Sequence, residues 1–220
     1  MEFTECLFSR RSIRNFTDEK ISEEMIREIV NAGIYAPSAC NFAAWKFILV
    51  EKENERRAVF RNRVIQNAPY GLLVTYRNDI YVSGRIHGDY IQSAAAAIQN
   101  MLLYITSVGL GAVWVCDLPK DRRIRKAFGI PGNFDTVGYI AFGHPKTGDE
   151  NSMKAMIYHY GDEESFKEHK RRFTVDQVLC RDTFQTVDGD CTYARYPTKI
   201  ELVRKQMKEK RMEWKKKLKR

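Results

Sequence analysis

The sequence has no CxxC pair: its five cysteines, Cys6, Cys40, Cys116, Cys180 and Cys191, are odd in number and widely spaced. That spacing excludes a zinc ribbon and a redox dithiol, and leaves reduced, unpaired thiols as the reading. No metal site is expected. There is no GxGxxG and no GxxxxGK[ST], so a Rossmann or P-loop nucleotide site is excluded and a nucleotide would have to bind by other means. No apolar run approaches the roughly 18 residues that a membrane span needs. The opening MEFTECLFSRR has no apolar core of a signal peptide, which gives the expectation of a cytoplasmic chain. Internal repeats and low-complexity linkers are also missing.

Excess charge is missing as well, outside one segment. The net charge is +9, and residues 195–220 hold twelve Lys or Arg against Glu201, Glu209 and Glu213, so twelve minus three accounts for all of it. Residues 1–194 are formally neutral, and the basic excess therefore says nothing directly about the chemistry of the body. A hydrophobic content of 44% with 30% charged residues is that of a folded globular chain. Its 220 residues suit one α/β domain, expected over 1–180, with a basic and helical extension over 181–220.

Hydrophobic spacing predicts a helix over Ser22–Ala36, capped by Ser22 and closed by Pro37. A buried strand over Phe47–Val50 and a charged helix over Glu53–Arg63 follow, then a second strand over Tyr70–Tyr76. The longest apolar stretch, Tyr90–Val108 with Ala94–Ala97 inside it, predicts a helix buried at a domain or subunit centre, ended by Gly109 and Gly111. Ala112–Cys116 reads as a strand, Leu118–Phe128 as a helix with Pro119 in its first turn, and Thr136–Gly143 as a fourth strand. Residues 146–170 read as irregular or partly helical. In the tail, Ile200, Val203, Met207, Trp214 and Leu218 form one narrow apolar stripe on a cationic helix, which would pack on the body or a partner subunit, or bind nucleic acid or an anionic membrane.

Three clusters carry candidate chemistry. Arg10, Arg11, Ser12 and Arg14 place three guanidinium groups and a hydroxyl within five residues, and an extended backbone would send Arg10, Ser12 and Arg14 to one side as a phosphate pocket; a solvated basic patch is the other reading. Pro37, Ser38, Ala39 and Asn41 join small residues to polar groups suited to the edge of a planar heteroaromatic ring, or else form only a helix-to-strand turn. Gly109–Asp117 reads as a helix end running into a strand, with Val115, Cys116 and Asp117 at its finish. His87, His144, His159 and His169 read as surface or packing residues, and no side chain is assigned as a catalytic acid or nucleophile.

Taken in order, RRSIRNF, APSACNFAAWKF, the alanine-rich helix into GLGAVWV, GYIAFGHPK and the late KRRFTVDQVL resemble the nitroreductase family over residues 5–180. The resemblance implies a mixed α/β (α+β) fold: a central, mostly antiparallel sheet flanked by helices, with a long central helix at a homodimer interface. It implies FMN bound at that interface. Arg10, Ser12 and Arg14 match the residues that hold the FMN phosphate and ribityl chain, with Arg11 acting through its backbone. Pro37, Ser38, Ala39 and Asn41 match the loop reaching the flavin from the other subunit, and Val115, Cys116 and Asp117 match the strand end beside the ring. Arg172 matches a late basic residue returning to the phosphate, with Arg171 competing for that register. The sequence departs from the family at Phe42-Ala43-Ala44, where a Gln-Pro-Trp type segment is usual, and at Gly143-His144-Pro145, where a Gly-Tyr-Pro type turn is common.

The activity so implied is hydride transfer from NADH or NADPH through the flavin to a small conjugated electrophile, such as a nitroaromatic or a quinone, in a ping-pong cycle. A slow flavin-binding or redox-sensing protein, a flavin reductase and a dehalogenase remain alternatives, because one scaffold supports several reactions.

Overall fold

The computed structural model describes residues 1–79 and 88–146. They lie in a compact unit, Met1–Ser152. Arg171 and Arg172, the expectations for 147–170, the boundary at 180 and the basic tail fall outside the described residues, as do His87, His159, His169, Cys180 and Cys191.

Nine elements build the unit: α1 (Phe3–Ser9), α2 (Glu23–Ile34), β1 (Trp45–Glu51), α3 (Arg63–Asn67), β2 (Tyr70–Arg77), α4 (Asp89–Ser107), β3 (Gly111–Val115), α5 (Asp121–Phe128) and β4 (Phe134–Gly143). The four strands form one sheet in the order β1-β2-β4-β3, with every neighbour antiparallel. The expected mixed fold with an antiparallel sheet and a long helix is therefore present.

Both faces of the sheet are covered, which explains why β2 is buried along nearly its whole length instead of alternating. On one face α2 and α4 pack Ile29, Ala97, Ile98, Met101 and Ile105 against Leu72, Val74, Ile140 and Phe142. On the other, Phe60, Ile65 and Ile124 pack against Val50, Leu73, Val113, Val115 and Tyr139.

Helix boundaries follow local chemistry. Ser22 caps α2, its hydroxyl accepting from Met25 N–H at 3.2 Å. Gly109, at φ 79°, ends α4, with Leu110 N–H donating to Ile105 O and Gly109 N–H to Thr106 O. Gly111 does not end the helix; it opens β3, and Cys116 lies just past that strand.

The charged helix expected over Glu53–Arg63 is instead a 3-10 turn (Glu55–Val59) and the short α3. Asn54 and Asn62 accept from Arg56 N–H and Val64 N–H at 3.0 and 2.9 Å, so each starts a new turn, and Phe60 between them is extended. The helix expected from Leu118 begins at Asp121, leaving Pro119 outside it, because Leu118 N–H is taken up in a turn to Cys116 O. Helix α1 was not anticipated: of its residues only Cys6 is buried, so it carries no apolar stripe.

Candidate functional site

β3 is an edge strand, and its open side is met by the arginine-rich segment. Ser12 bridges Ala112 in parallel, and Ile13 N–H donates to Ala112 O at 2.9 Å. Side-chain packing tightens the join, since the Ile13 side chain lies directly over Gly111. The chain then crosses to the end of β4, where Phe16 bridges Pro145 and Thr17 N–H donates to His144 O at 2.8 Å. An exposed strand edge is thereby covered, and the cluster is fixed at the sheet margin.

Arg10, Ser12 and Arg14 are half-buried, and Arg11 is exposed. One Arg14 amine donates to Ser12 O at 3.0 Å. Burial draws both the Arg10 and Arg14 guanidinium groups below their ordinary value, and for Arg10 the neighbouring charge of Arg11 adds to the effect. The charges acting on Arg10 are those of Arg11 and Cys6, with no carboxylate among them. Arginine keeps its proton regardless. Partly desolvated cations of this kind are stabilised by a bound anion, and a phosphate with its three acceptor oxygens fits the donor set.

The second cluster is a strained loop. Cys40, Asn41 and Ala43 have φ of 52°, 53° and 47°, in the left-handed region that costs a non-glycine residue about 1–3 kcal/mol. Hydrogen bonds hold it there. Ser38 O accepts from Asn41 N–H at 3.0 Å, the Ser38 hydroxyl accepts from Ala43 N–H at 3.0 Å, and Ala39 N–H donates to the Ser93 hydroxyl at 3.1 Å. Ser93 is buried in α4 and donates in turn to Asp89 O at 2.9 Å. Sequence reasoning missed Ser93. A lone hydroxyl beside the alanine block of a buried helix was the available signal, because a buried hydroxyl needs partners.

The third cluster is the end of β3. Val115 is buried, whereas Cys116 and Asp117 are exposed beyond it. Burial pushes the Cys116 thiol above its ordinary value, away from thiolate reactivity.

Helix α4 sets the spacing of these groups. Helix α1, which ends at Arg10, is tied to α4 by the Cys6 thiol donating to Leu103 O at 3.1 Å, while the 38–43 loop is tied to Ser93. Ten residues of helix separate the two anchors by about 15 Å. Within one chain the arginine cluster and the loop therefore sit at different levels of α4. Among the described residues no group of His, Cys, Asp and Glu is arranged to hold a metal, and no helix is long and apolar enough to cross a membrane.

Comparisons with known proteins agree with this geometry. The family model described as "Nitroreductase family" matches residues 7–71 and 56–144. A protein of Archaeoglobus fulgidus, provisionally named an NADH dehydrogenase/NAD(P)H nitroreductase, is 30% identical over 184 residues, covering 79% of this chain and 96% of its own. The NADPH-flavin oxidoreductase of Vibrio harveyi is 26% identical over 160 residues, covering 66% of this chain and 67% of its own. Among solved structures, a provisionally assigned nitroreductase from Desulfovibrio desulfuricans in complex with FMN superposes with a TM-score of 0.64 at 25% identity, covering 84% of this chain and 99% of that one.

Proposed function

We propose, from the premise that the chain belongs to the nitroreductase family, that it moves hydride from a reduced nicotinamide to a small conjugated electrophile at an FMN site shared by two identical subunits. It is an FMN-dependent NAD(P)H oxidoreductase. The observation that carries the site assignment is the pair of partly desolvated arginines, Arg10 and Arg14, pinned to the edge of β3.

Bound FMN supplies two-electron redox chemistry between NADH or NADPH and an acceptor such as a nitroaromatic or a quinone. The chain's own residues bind and orient. Arg10 and Arg14 offset the phosphate charge with paired, charge-assisted hydrogen bonds, and Ser12 adds a neutral donor. Arg11, exposed, contributes its backbone; Arg172 is proposed as a further phosphate ligand.

From Gly111 to Val115, β3 runs for about 13 Å. Val115, Cys116 and Asp117 thus lie one strand length from the arginines, a separation that suits an elongated molecule with its phosphate at one end and its ring at the other. Their backbone amides would donate to the ring edge and favour negative charge developing there. The partner subunit's copy of the loop Pro37, Ser38, Ala39 and Asn41 would close the site, which agrees with the two anchors on α4 lying too far apart to serve one ring from one chain. A single open space for both substrates gives ping-pong kinetics with mutual competition, and solvent supplies the proton without a dedicated side-chain acid.

The test is an absorbance spectrum of the purified full chain before and after anaerobic NADH, repeated for Arg14→Ala. The reading expects a yellow protein that bleaches with NADH and is reoxidised by nitrofurazone or a quinone, with flavin per chain reduced in the variant. A colourless protein that takes up no added FMN refutes it. A flavin that NADH leaves oxidised would instead mark a binding protein.

A further inference from the structure

Phe42 is 51% exposed, although it follows directly on the proposed ring-edge loop. Its exposure is built into the backbone. Asn41 before it and Ala43 after it are both left-handed, whereas Phe42 itself has ordinary helical angles (φ −70°, ψ −27°) and donates its N–H to Ala39 O at 3.2 Å. The loop around it is braced at both ends. Ala39 N–H is held by the buried Ser93 hydroxyl, and Trp45, buried at the start of β1, packs edge-on against Tyr76 with ring centres 5.9 Å apart.

A ring displayed on a frame braced in this way has little freedom left to lose when a ligand stacks on it. The chemistry beside it narrows what that ligand is. Ala43 and Ala44 carry no polar side-chain atoms, so this wall of the site discriminates by contact area and ring stacking, not by hydrogen bonds. An acceptor with a flat aromatic ring gains from the Phe42 face; a compact, non-aromatic one does not.

We infer that Phe42 is the acceptor-selecting residue of the site, an aromatic platform that favours flat, apolar ring compounds over non-aromatic electron acceptors. The inference rests on the flavin site proposed above and names the substrate class of that site. Phe42 touches the acceptor and not the flavin phosphate, so its removal shows in acceptor KM more than in FMN retention.

The experiment uses full-length protein assayed with saturating FMN. Steady-state kcat/KM is measured with a nitroaromatic and with ferricyanide for wild type, Phe42→Ala, Phe42→Leu and Phe42→Trp. The expected result is a fall of about tenfold in the nitroaromatic-to-ferricyanide ratio for the Ala and Leu variants, as the loss of one ring-stacking contact gives, carried by KM and restored by Trp. Leu keeps the bulk without a π face, so it reports even where the smaller residue disturbs the loop. An unchanged ratio, or equal losses with both acceptors, overturns the inference while leaving the flavin site standing. A wild-type protein that binds no FMN removes the proposed function and the inference together.

Discussion

Replacing Gly111 by alanine should weaken FMN binding from a position that contributes no side chain to the site. A Cβ built at Gly111 falls 2.8 Å from Ile13 Cγ2, 2.9 Å from Ile13 Cβ and 3.2 Å from Ile13 Cγ1. Rotating Ile13 about χ1 moves the γ carbons but not its Cβ, so no rotamer clears the contact. The backbone of residues 12–14 must retreat by about 0.5 Å or more to restore ordinary carbon–carbon separation. That retreat works against the Ser12–Ala112 bridge and the 2.9 Å bond from Ile13 N–H. Overpacking of this kind costs about 1–3 kcal/mol, and for a chain of this size about 2 kcal/mol lowers the melting temperature by roughly 4–8 °C. The same displacement shifts Arg10 and Arg14 from their phosphate geometry. Loss of one charge-assisted bond, at about 1.5–3 kcal/mol, raises the FMN dissociation constant tenfold or more. Thermal melts with and without FMN, together with flavin per chain, measure both effects. Gly132→Ala is the control, because an added Cβ there meets nothing within 4 Å. A Gly111→Ala protein that melts and retains flavin as wild type would refute the account of how the arginine segment is held.

Three further outcomes follow from buried polar groups. Burial pushes the Tyr139 hydroxyl up to about 12, and it has no hydrogen-bond partner. Because the folded value exceeds the unfolded one, near 10, this phenol's contribution is intact below pH 10 and lost by about 12, amounting to about 2–3 kcal/mol; Tyr139→Phe should melt no lower at pH 7 and lose less stability at high pH. Burial also pushes the Asp121 carboxyl up, but hydrogen bonds from Arg125 and Thr136 outweigh it and hold the group below its ordinary value. Its contribution is therefore present at neutral pH and lost as pH falls below about 4, so Arg125→Ala should flatten the acid limb of a melting-temperature profile. Finally, Ser93→Ala leaves Ala39 N–H without its acceptor at a cost of about 1–3 kcal/mol, and hydrogen exchange at the Ala39 amide should accelerate; an unchanged rate would show that the loop does not depend on this bond.

The long elements were legible because their signals are local and repeat. Helix α2 announces itself through Ser22 and the spacing of Ile26, Ile29 and Gly33, which are the residues it buries. α4 is visible as a long apolar stretch for the same reason. Short elements were not legible in this way: between Glu53 and Arg63 the composition favours helix, yet two asparagine side chains capture backbone amides and divide the segment. The candidate site shows the same division. Residue types sufficient for a phosphate were evident in Arg10, Ser12 and Arg14, but their attachment to β3 depends on a parallel bridge to a strand about a hundred residues away. No local pattern encodes that pairing. Nor does the sequence of Cys40 to Ala43 suggest three left-handed residues without a glycine; the conformation is set by Ser38 and the distant Ser93.

The separation of the two anchors on α4 can be tested directly. If the arginine cluster of one subunit and the 38–43 loop of its partner form each site, the defects of two different variants should segregate within a mixed dimer. Arg14→Ala removes a phosphate ligand from both sites of its own homodimer, and Asn41→Ala weakens the ring-edge loop in both sites of its own. In a heterodimer purified through two different affinity tags, one site takes the intact arginine cluster from the Asn41→Ala chain and the intact loop from the Arg14→Ala chain. The other site collects both lesions. Symmetric sharing therefore predicts about one tightly held FMN per heterodimer, with one site of wild-type affinity and one nearly empty. Sites built within single chains would instead give two populations of intermediate affinity, each matching one of the homodimers, because every chain would keep its own lesion. Flavin titration resolves these patterns, and two intermediate affinities would show that the loop serves the arginine cluster of its own subunit.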